Sequence, residues 1–284
     1  MNRKALIILT AAATLLLAGL TTGCKKLEAR DNLNKGVQAF KGAKYGDAVE
    51  FFKKAIDLDP TYPTARLYLA TSYMSQYIPG ADSPENNAFA DQAAANFKII
   101  LEGDAKNTAA LKSLASLAFQ RTNGMTAMAD KMKQLDVAAE WYKKLAEADP
   151  AEKEAFYSLG VVAWSKFYPA WMEARTKLGM KPETPGPIKD KKVKAELQEK
   201  YNAVIAEGIK NLEKALEIDK EYDDAMAYLN LLYRERADIA DNDAGYTKDT
   251  EAADQWIAKA LETRKVKSER APKTSGIVSE EEKK

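Results

Sequence analysis

Apolar and small residues recur along this chain at offsets that belong to helices. In the stretch GVQAFKGAKYGDAVEFFKKAIDLDP, residues 36–60, Gly36 and Phe40 lie four apart, and Ala48, Phe52 and Ala55 follow at intervals of four and three. Residues so spaced share one face of an α-helix, so each run predicts a helix with a single buried stripe. Pro60, after Asp59, ends the second helix, because proline cannot continue a helix and restricts the residue before it. Gly36 and Ala48 are small where the two antiparallel helices approach; a larger side chain there would overpack, at about 1–3 kcal/mol.

The second-helix pattern returns as Ala93, Phe97 and Ile100, as Ala138, Tyr142 and Leu145 before Pro150, as Gly208, Leu212 and Ala215, and as Ala253, Ile257 and Ala260. The small position of the first helix runs Gly36, Ala70, Ala115, Gly160, Asn230. Successive spacings are 34, 45, 45 and 70 in the first-helix series and 45, 45, 70 and 45 in the second. Two independent series with the same lengths predict helix pairs repeated along the chain, with the extra residues between the two helices of a pair. Ile100 and Leu145 replace a small residue, and Asn230 replaces a glycine, so those packings are expected to be irregular.

Gly36, Phe40, Tyr45, Ala48, Phe52, Ala55 and Pro60 resemble the signature of the tetratricopeptide repeat. The resemblance implies an all-α fold, a right-handed α-solenoid of about five helix pairs with extended inserts, because pairs that cannot bury their faces alone must stack. The expected organisation is a signal peptide at 1–23, a tether at 24–28, repeat units at 29–62, 63–107, 108–152, 153–222 and 223–267, and a charged, disordered tail at 268–284.

In this family the exposed side of each first helix lines a concave groove. The equivalent positions are Leu33, Val37 and Phe40; Leu67, Thr71 and Met74; Lys112, Ser116 and Phe119; Tyr157, Val161 and Trp164; Ala227, Leu231 and Arg234. Leu33 and Val37 stand where the chaperone-binding members begin a Lys/Asn clamp for a peptide carboxylate, so that clamp is missing. The face is instead apolar and aromatic apart from Lys112 and Arg234, which implies a groove for an extended or helical protein segment. The alternative is that neighbouring repeats cover these side chains.

The longest insert, residues 165–201, carries Phe167, Tyr168 and Trp171 and then three prolines and two glycines between Gly179 and Pro187. Tyr168-Pro169 predicts a break at the end of the first helix, as Ile78-Pro79 does in the second unit. A helical pattern then runs from Lys189 through Ala215. These features predict a protruding hairpin with a mobile proline-rich tip, its root aromatics forming a second contact site or simply covering the edge of the solenoid.

The ends and the composition add location and exclude chemistry. Arg3 and Lys4 precede an apolar run of 16 residues, Ala5 to Leu20, then Thr21-Thr22-Gly23-Cys24. That arrangement reads as a secretory signal, and the run is short for a bilayer span of about 20 residues. Cys24 after Gly23 resembles the lipobox of bacterial lipoproteins, although Thr21 stands where that family most often has Leu, with Leu20 one place early. The resemblance implies cleavage before Cys24 and a lipid on its thiol and new amino end; an uncleaved anchor or ordinary cleavage near Gly23 are the alternatives. Acyl chains hold at about 0.8 kcal/mol per buried methylene. Lys25 after the cysteine fits the outer membrane, facing the periplasm.

Cys24 is the single cysteine, histidine is absent, and the net charge is +1. Near-neutrality argues against nucleic acid, and the missing histidines remove the commonest acid–base group and metal ligand. Neither a phosphate loop, a serine-nucleophile turn nor a metal-spaced cluster occurs. The stretch DNDAGYTKDTE, 241–251, resembles a calcium loop only faintly, with Gly245 where an oxygen ligand belongs and Glu251 one residue early. The basic stretch 189–200 reads as a solvated helix end, with contact to anionic lipid as the sharper alternative. Together these features predict a lipid-anchored scaffold for protein or peptide segments of an envelope complex, without enzymatic activity, cofactor or metal. A soluble-ligand or glycan binder with the long insert as a lid is the rival, and a hydrolase the weakest one.

Overall fold

A computed structural model describes residues 24–181, 184 and 186–270. The expected signal peptide, the tail beyond 270, and Pro182, Glu183 and Pro185 of the insert lie outside the described residues. The described elements are all helices, without strands. They fall into two compact units divided after Ala148.

The first unit holds α1 (24–41), α2 (Tyr45–Leu58), α3 (Pro63–Gln76), α4 (Pro84–Gly103), α5 (Thr108–Gln120) and α6 (Met128–Ala148). Within it α2 packs on α3, α3 on α4, α4 on α5 and α5 on α6. Pro63 and Pro84 sit in first turns, where a missing N–H costs nothing. Ser83 and Asn107 accept from the amides of Asn86 and Ala110, each at 3.1 Å, which starts α4 and α5. Residues 24–28, expected as a tether, are already helical; Lys25, Lys26, Leu27 and Glu28 are good helix formers with no breaker among them.

Phe52 fills the core of this unit, fully buried and stacked on Tyr68 with ring centroids 5.4 Å apart. A Cβ at Gly36 would come within 2.5 Å of the Phe52 ring, which is why glycine is needed where α1 crosses α2. Asn86, also buried, satisfies the backbone around Pro79, where no helix can do so: its amide bonds the carbonyls of Ile78 (2.9 Å) and Ala81 (2.8 Å), and its oxygen accepts from Ile78 N (2.7 Å).

The second unit holds α7 (Lys153–Lys177), α8 (Lys191–Ile218), α9 (Asp223–Asp238) and α10 (Asp243–Arg270). Gly160 faces Leu212 as Gly36 faces Phe52: an added Cβ would lie 2.5 Å from Leu212 Cδ2. Gly208 is pressed against Ala163 in the same sense, with 2.5 Å between an added Cβ and that of Ala163. α8 has 28 residues, about 42 Å at 1.5 Å per residue.

Three expectations need correction here. Pro169 does not end the first helix; it lies inside α7. An internal proline costs about 3 kcal/mol, and buried Phe167, Ala174 and Arg175, on both sides of it, supply contacts that hold the helix together. The insert does not simply protrude. Arg175 bonds the carbonyls of Lys181 (2.8 Å) and Thr184, Ile188 N bonds Asp238 O at 2.9 Å, and the Ile188 side chain is fully buried, so the connection is fastened to the end of α9. α10 runs to Arg270, three residues past the expected end, closed by Arg270 on Glu221 and by Arg264 and Lys267 on Asp223. The faint calcium loop is mostly helix: α10 begins at Asp243, and Asn242 Oδ1 accepts from Gly245 N at 2.9 Å.

One recurrent device joins the repeats. Asp59, Asp104, Asp149 and Asp219 each accept, through the side chain, the amide two residues on, at 3.1, 3.2, 3.0 and 2.9 Å. Each closes the turn from a second helix to the next first helix, an aspartate turn that needs only a short acceptor at that place.

Candidate partner-contact faces

In the first unit much of the expected face is packed against the core. Leu33 is buried, 8% exposed, and belongs to the core rather than to a surface. Val37, Phe40, Leu67 and Met74 are half-buried against that core. Phe40 meets Tyr45 and Tyr68 edge-on at 5.3 and 6.0 Å. Phe119 is half-buried and Lys112 exposed. A separate polar cleft of about 520 Å³ lies between the α3–α4 and α5–α6 connections, lined by Tyr77, Asp91, Arg121, Asp130 and Gln134 among others. Arg121 pairs with Asp91 across it.

In the second unit the rings form a continuous ladder. Tyr222 touches Tyr157 at 5.0 Å, Tyr157 touches Tyr228 at 5.6 Å, and Tyr228 meets Trp164 edge-on at 5.6 Å. Trp164 stacks on Tyr168 at 4.7 Å, and Tyr168 reaches Trp171 at 5.8 Å. All six are half-buried. Helical spacing explains the order: Tyr157, Trp164, Tyr168 and Trp171 advance along one side of α7 by seven, four and three residues. Val161 and Leu231 are half-buried as well. Burial pushes the Tyr222 and Tyr228 hydroxyls up, the former also through its neighbour Tyr157, so both stay neutral phenols.

The ladder stands on buried acids. Trp164 Nε1 donates to Glu235 Oε1 at 2.7 Å, and Trp171 Nε1 donates to Asp238 Oδ2 at 2.9 Å. Arg175 bonds Asp238 and lies over the Trp171 ring, 4.9 Å from its centre. With their polar edges satisfied, both indoles are held in fixed orientations, a state that lowers the entropic cost of binding. Burial raises the Glu235 carboxyl to about 8 against the bond from Trp164, with Asp238 raising it further.

The sequence places Tyr157 and Trp164 on the groove and Tyr168 and Trp171 in a separate contact site at the root of the insert; the structure joins the four in one ladder. Phe167 does not join them: it is fully buried against Tyr201, because it lies on the opposite, core-facing side of α7. Arg234 is engaged by Asp254 at 2.7 Å and Asn230 at 3.2 Å. Tyr222, Tyr228, Glu235 and Asp238 were missed. Glu235 could have been found, because it continues the apolar stripe Leu232 to Ile239 at steps of three and four.

The exposed thiol of Cys24 lies in α1. No helix among the described residues is long and apolar enough to cross a membrane.

Helix pairs repeated in this way have a known relative. Residues 32–62 match the tetratricopeptide repeat. Among solved structures, the chain resembles two crystal structures of MamA, a protein of such repeats. One is 17% identical with a TM-score of 0.52 over 82% of this chain and 96% of that one, the other 16% identical with 0.54 over 86% and 96%. A MamA fragment from Desulfovibrio magneticus RS-1 is 14% identical, with a TM-score of 0.53 over 84% and 96%. At these identities the likeness is one of fold. No curated protein matches the chain by sequence.

Proposed function

We propose that this chain is a protein-interaction scaffold of the bacterial cell envelope, anchored through a lipid on Cys24 and acting by binding rather than catalysis. The observation that carries the binding reading is the aromatic ladder of the second unit. Tyrosine and tryptophan offer large, stiff surface at low entropic cost, and here the indole N–H groups are already committed, so what the half-buried rings still expose is apolar surface. An extended or helical segment with apolar anchors is the occupant that suits such a face. The repeat match and the fold likeness support the same class of function. The anchor reading rests on the apolar run before Cys24 and on the exposure of its thiol. Assistance in outer-membrane or secretion and pilus assembly is the role this architecture suggests.

The test has two arms. A photoreactive residue at Tyr168 in living cells should yield a protein adduct that disappears when Trp164 is changed to Ala; persistence of the adduct would remove the ladder from the binding account. Cys24→Ser should leave the chain folded yet release it from membranes and abolish acyl labelling. A mutant still membrane-bound after a carbonate wash would place the anchor in residues 5–20 instead.

The polar cleft of the first unit favours a second reading, a small-ligand or glycan site, since Tyr77 offers a ring among carboxylates, amides and Arg121. Thermal stabilisation by cell-wall fragments, lost in Arg121→Ala, would support it. The long insert is no lid for such a ligand, because Arg175 and Ile188 fasten it to α9.

A further inference from the structure

α9 carries two buried carboxyls three residues apart, Glu235 and Asp238, 3% and 4% exposed. Among the described residues Arg175 is the one buried cation, and its guanidinium is bonded to Asp238 and to the carbonyls of Lys181 and Thr184. Asp238 also accepts from Trp171. Glu235 accepts one bond, from Trp164, and its Oε2 is buried with no hydrogen-bond partner among the described residues. Two ionised carboxylates beside one cation would leave a negative charge uncompensated in a poorly solvated place. One of them therefore keeps its proton, and the bonding pattern says which: Asp238 has the cation, Glu235 does not.

Arg234 acts on Asp238 by its charge, Lys194 of α8 bonds the carbonyl of Ala240 at 3.0 Å, and three acids nearby are engaged with other partners. On α8, Glu213 accepts from the Tyr233 hydroxyl at 3.2 Å. On α10, Asp249 is held by Arg236 at 2.6 and 2.7 Å and Asp254 by Arg234 at 2.7 Å. The connection after α7 contributes backbone carbonyls to Arg175.

We propose that Glu235 is a proton-operated latch on the Trp164 face: protonated, it lets α7 close on α9, and ionised, it opens that seam to reach water. Trp164 is half-buried, so the short way out for an ionised Oε2 is past its ring. Loss of the proton strengthens the single bond from the indole but adds a charge beside Asp238, and burial outweighs the bond, which holds the carboxyl up at about 8. The latch is thus closed in acid and at neutrality and opens in mild alkali. Its bearing on partner capture rests on the binding role proposed above; the latch itself belongs to the free chain and is tested there.

The experiment is a titration of the full chain with ¹⁵N-labelled tryptophan, from pH 6 to 9.5, with the Trp164 indole assigned through Trp164→Phe. The Trp164 indole signal should shift with a midpoint near pH 8, and Glu235→Gln, which keeps an acceptor for Trp164 and cannot ionise, should abolish that shift. An unchanged midpoint in Glu235→Gln, or a flat wild-type titration, would overturn the latch. Should Glu235→Gln fail to fold, the ¹³C carboxyl signal of Glu235 in the unmutated chain decides: a midpoint near 8 supports the proposal, and one near the usual glutamate value overturns it. None of these readings involves a partner, so a failed latch leaves the binding role standing, and a failed binding role leaves the latch measurable.

Discussion

The two units are built from the same helix pair yet bury different chemistry. Among the described residues, the buried polar side chains of the first unit are Ser72, Asn86, Asn96 and Thr122, all uncharged. Those of the second include Arg175, Asp223, Glu235, Asp238 and Asp249. The shared part is the close approach of α1 to α2 at Gly36 and of α7 to α8 at Gly160. The difference teaches that the repeat needs no buried charged residue, and that Glu235, Asp238 and Arg175 of the second unit do something the repeat does not require: they fix two tryptophans of an aromatic face and fasten a long connection.

The largest effect expected from this contrast is at Arg175. Arg175→Ala leaves Asp238 buried without its cation and should lower unfolding free energy by about 3–5 kcal/mol in urea titration. Arg121→Ala in the first unit breaks a pair whose Asp91 side chain is 69% exposed, and should cost less than about 1 kcal/mol. Equal costs would erase the distinction between the units.

Next comes pH. The Glu235 carboxyl titrates higher in the folded chain, at about 8, than in the unfolded one, so the folded state holds the extra proton. Its contribution is therefore fully present at low pH, falls as pH rises through the window from the usual glutamate value to about 8, and is gone above it. Relative to Glu235→Gln, wild type should lose on the order of 4 kcal/mol between pH 5 and pH 9. The first unit buries no such group among its described residues, and its local stability should change little over that range by hydrogen exchange.

Smaller and equal effects should come from the shared features. Gly36→Ala and Gly160→Ala each press a Cβ on a core side chain, at about 1–3 kcal/mol, with similar values in both units if the packing is one design. Asp104→Ala removes an accepted amide bond from a turn, at about 1 kcal/mol, and Asp219→Ala should cost somewhat more, because Lys153 also bonds that carboxylate at 2.5 Å.

What was legible followed from short-range periodicity. Gly36 with Phe52 and Gly160 with Leu212 repeat at matching intervals, and matching intervals are what stacked pairs produce. The aspartates at 59, 104, 149 and 219 carry the same intervals, 45, 45 and 70, and could have been read in the same way. The rest depended on contacts far apart along the chain. Pro169 reads locally as a break, and only the burial of Phe167 and Arg175 against other helices keeps α7 continuous. Asp238 reads locally as a solvated charge, and Glu235 shows its burial only through the stripe it continues; their partners, Trp164 and Arg175, lie 71 and 63 residues away. Phe167 was grouped with Tyr168 and Trp171 because sequence neighbours look alike, whereas on a helix consecutive residues point to different sides.

The central claim is that the α7 ladder, rather than the first-helix face of the first unit, meets the partner. The direct measurement is the affinity for the partner captured at Tyr168, determined for Trp164→Ala and Met74→Ala with the unfolding free energy of each. The account predicts a dissociation constant raised about thirtyfold in Trp164→Ala, roughly 2 kcal/mol, with unfolding changed by less than that, and near-wild-type binding in Met74→Ala. Unchanged binding in Trp164→Ala, or a loss matched by an unfolding cost of about 3–5 kcal/mol, would make the ladder core and contradict the account.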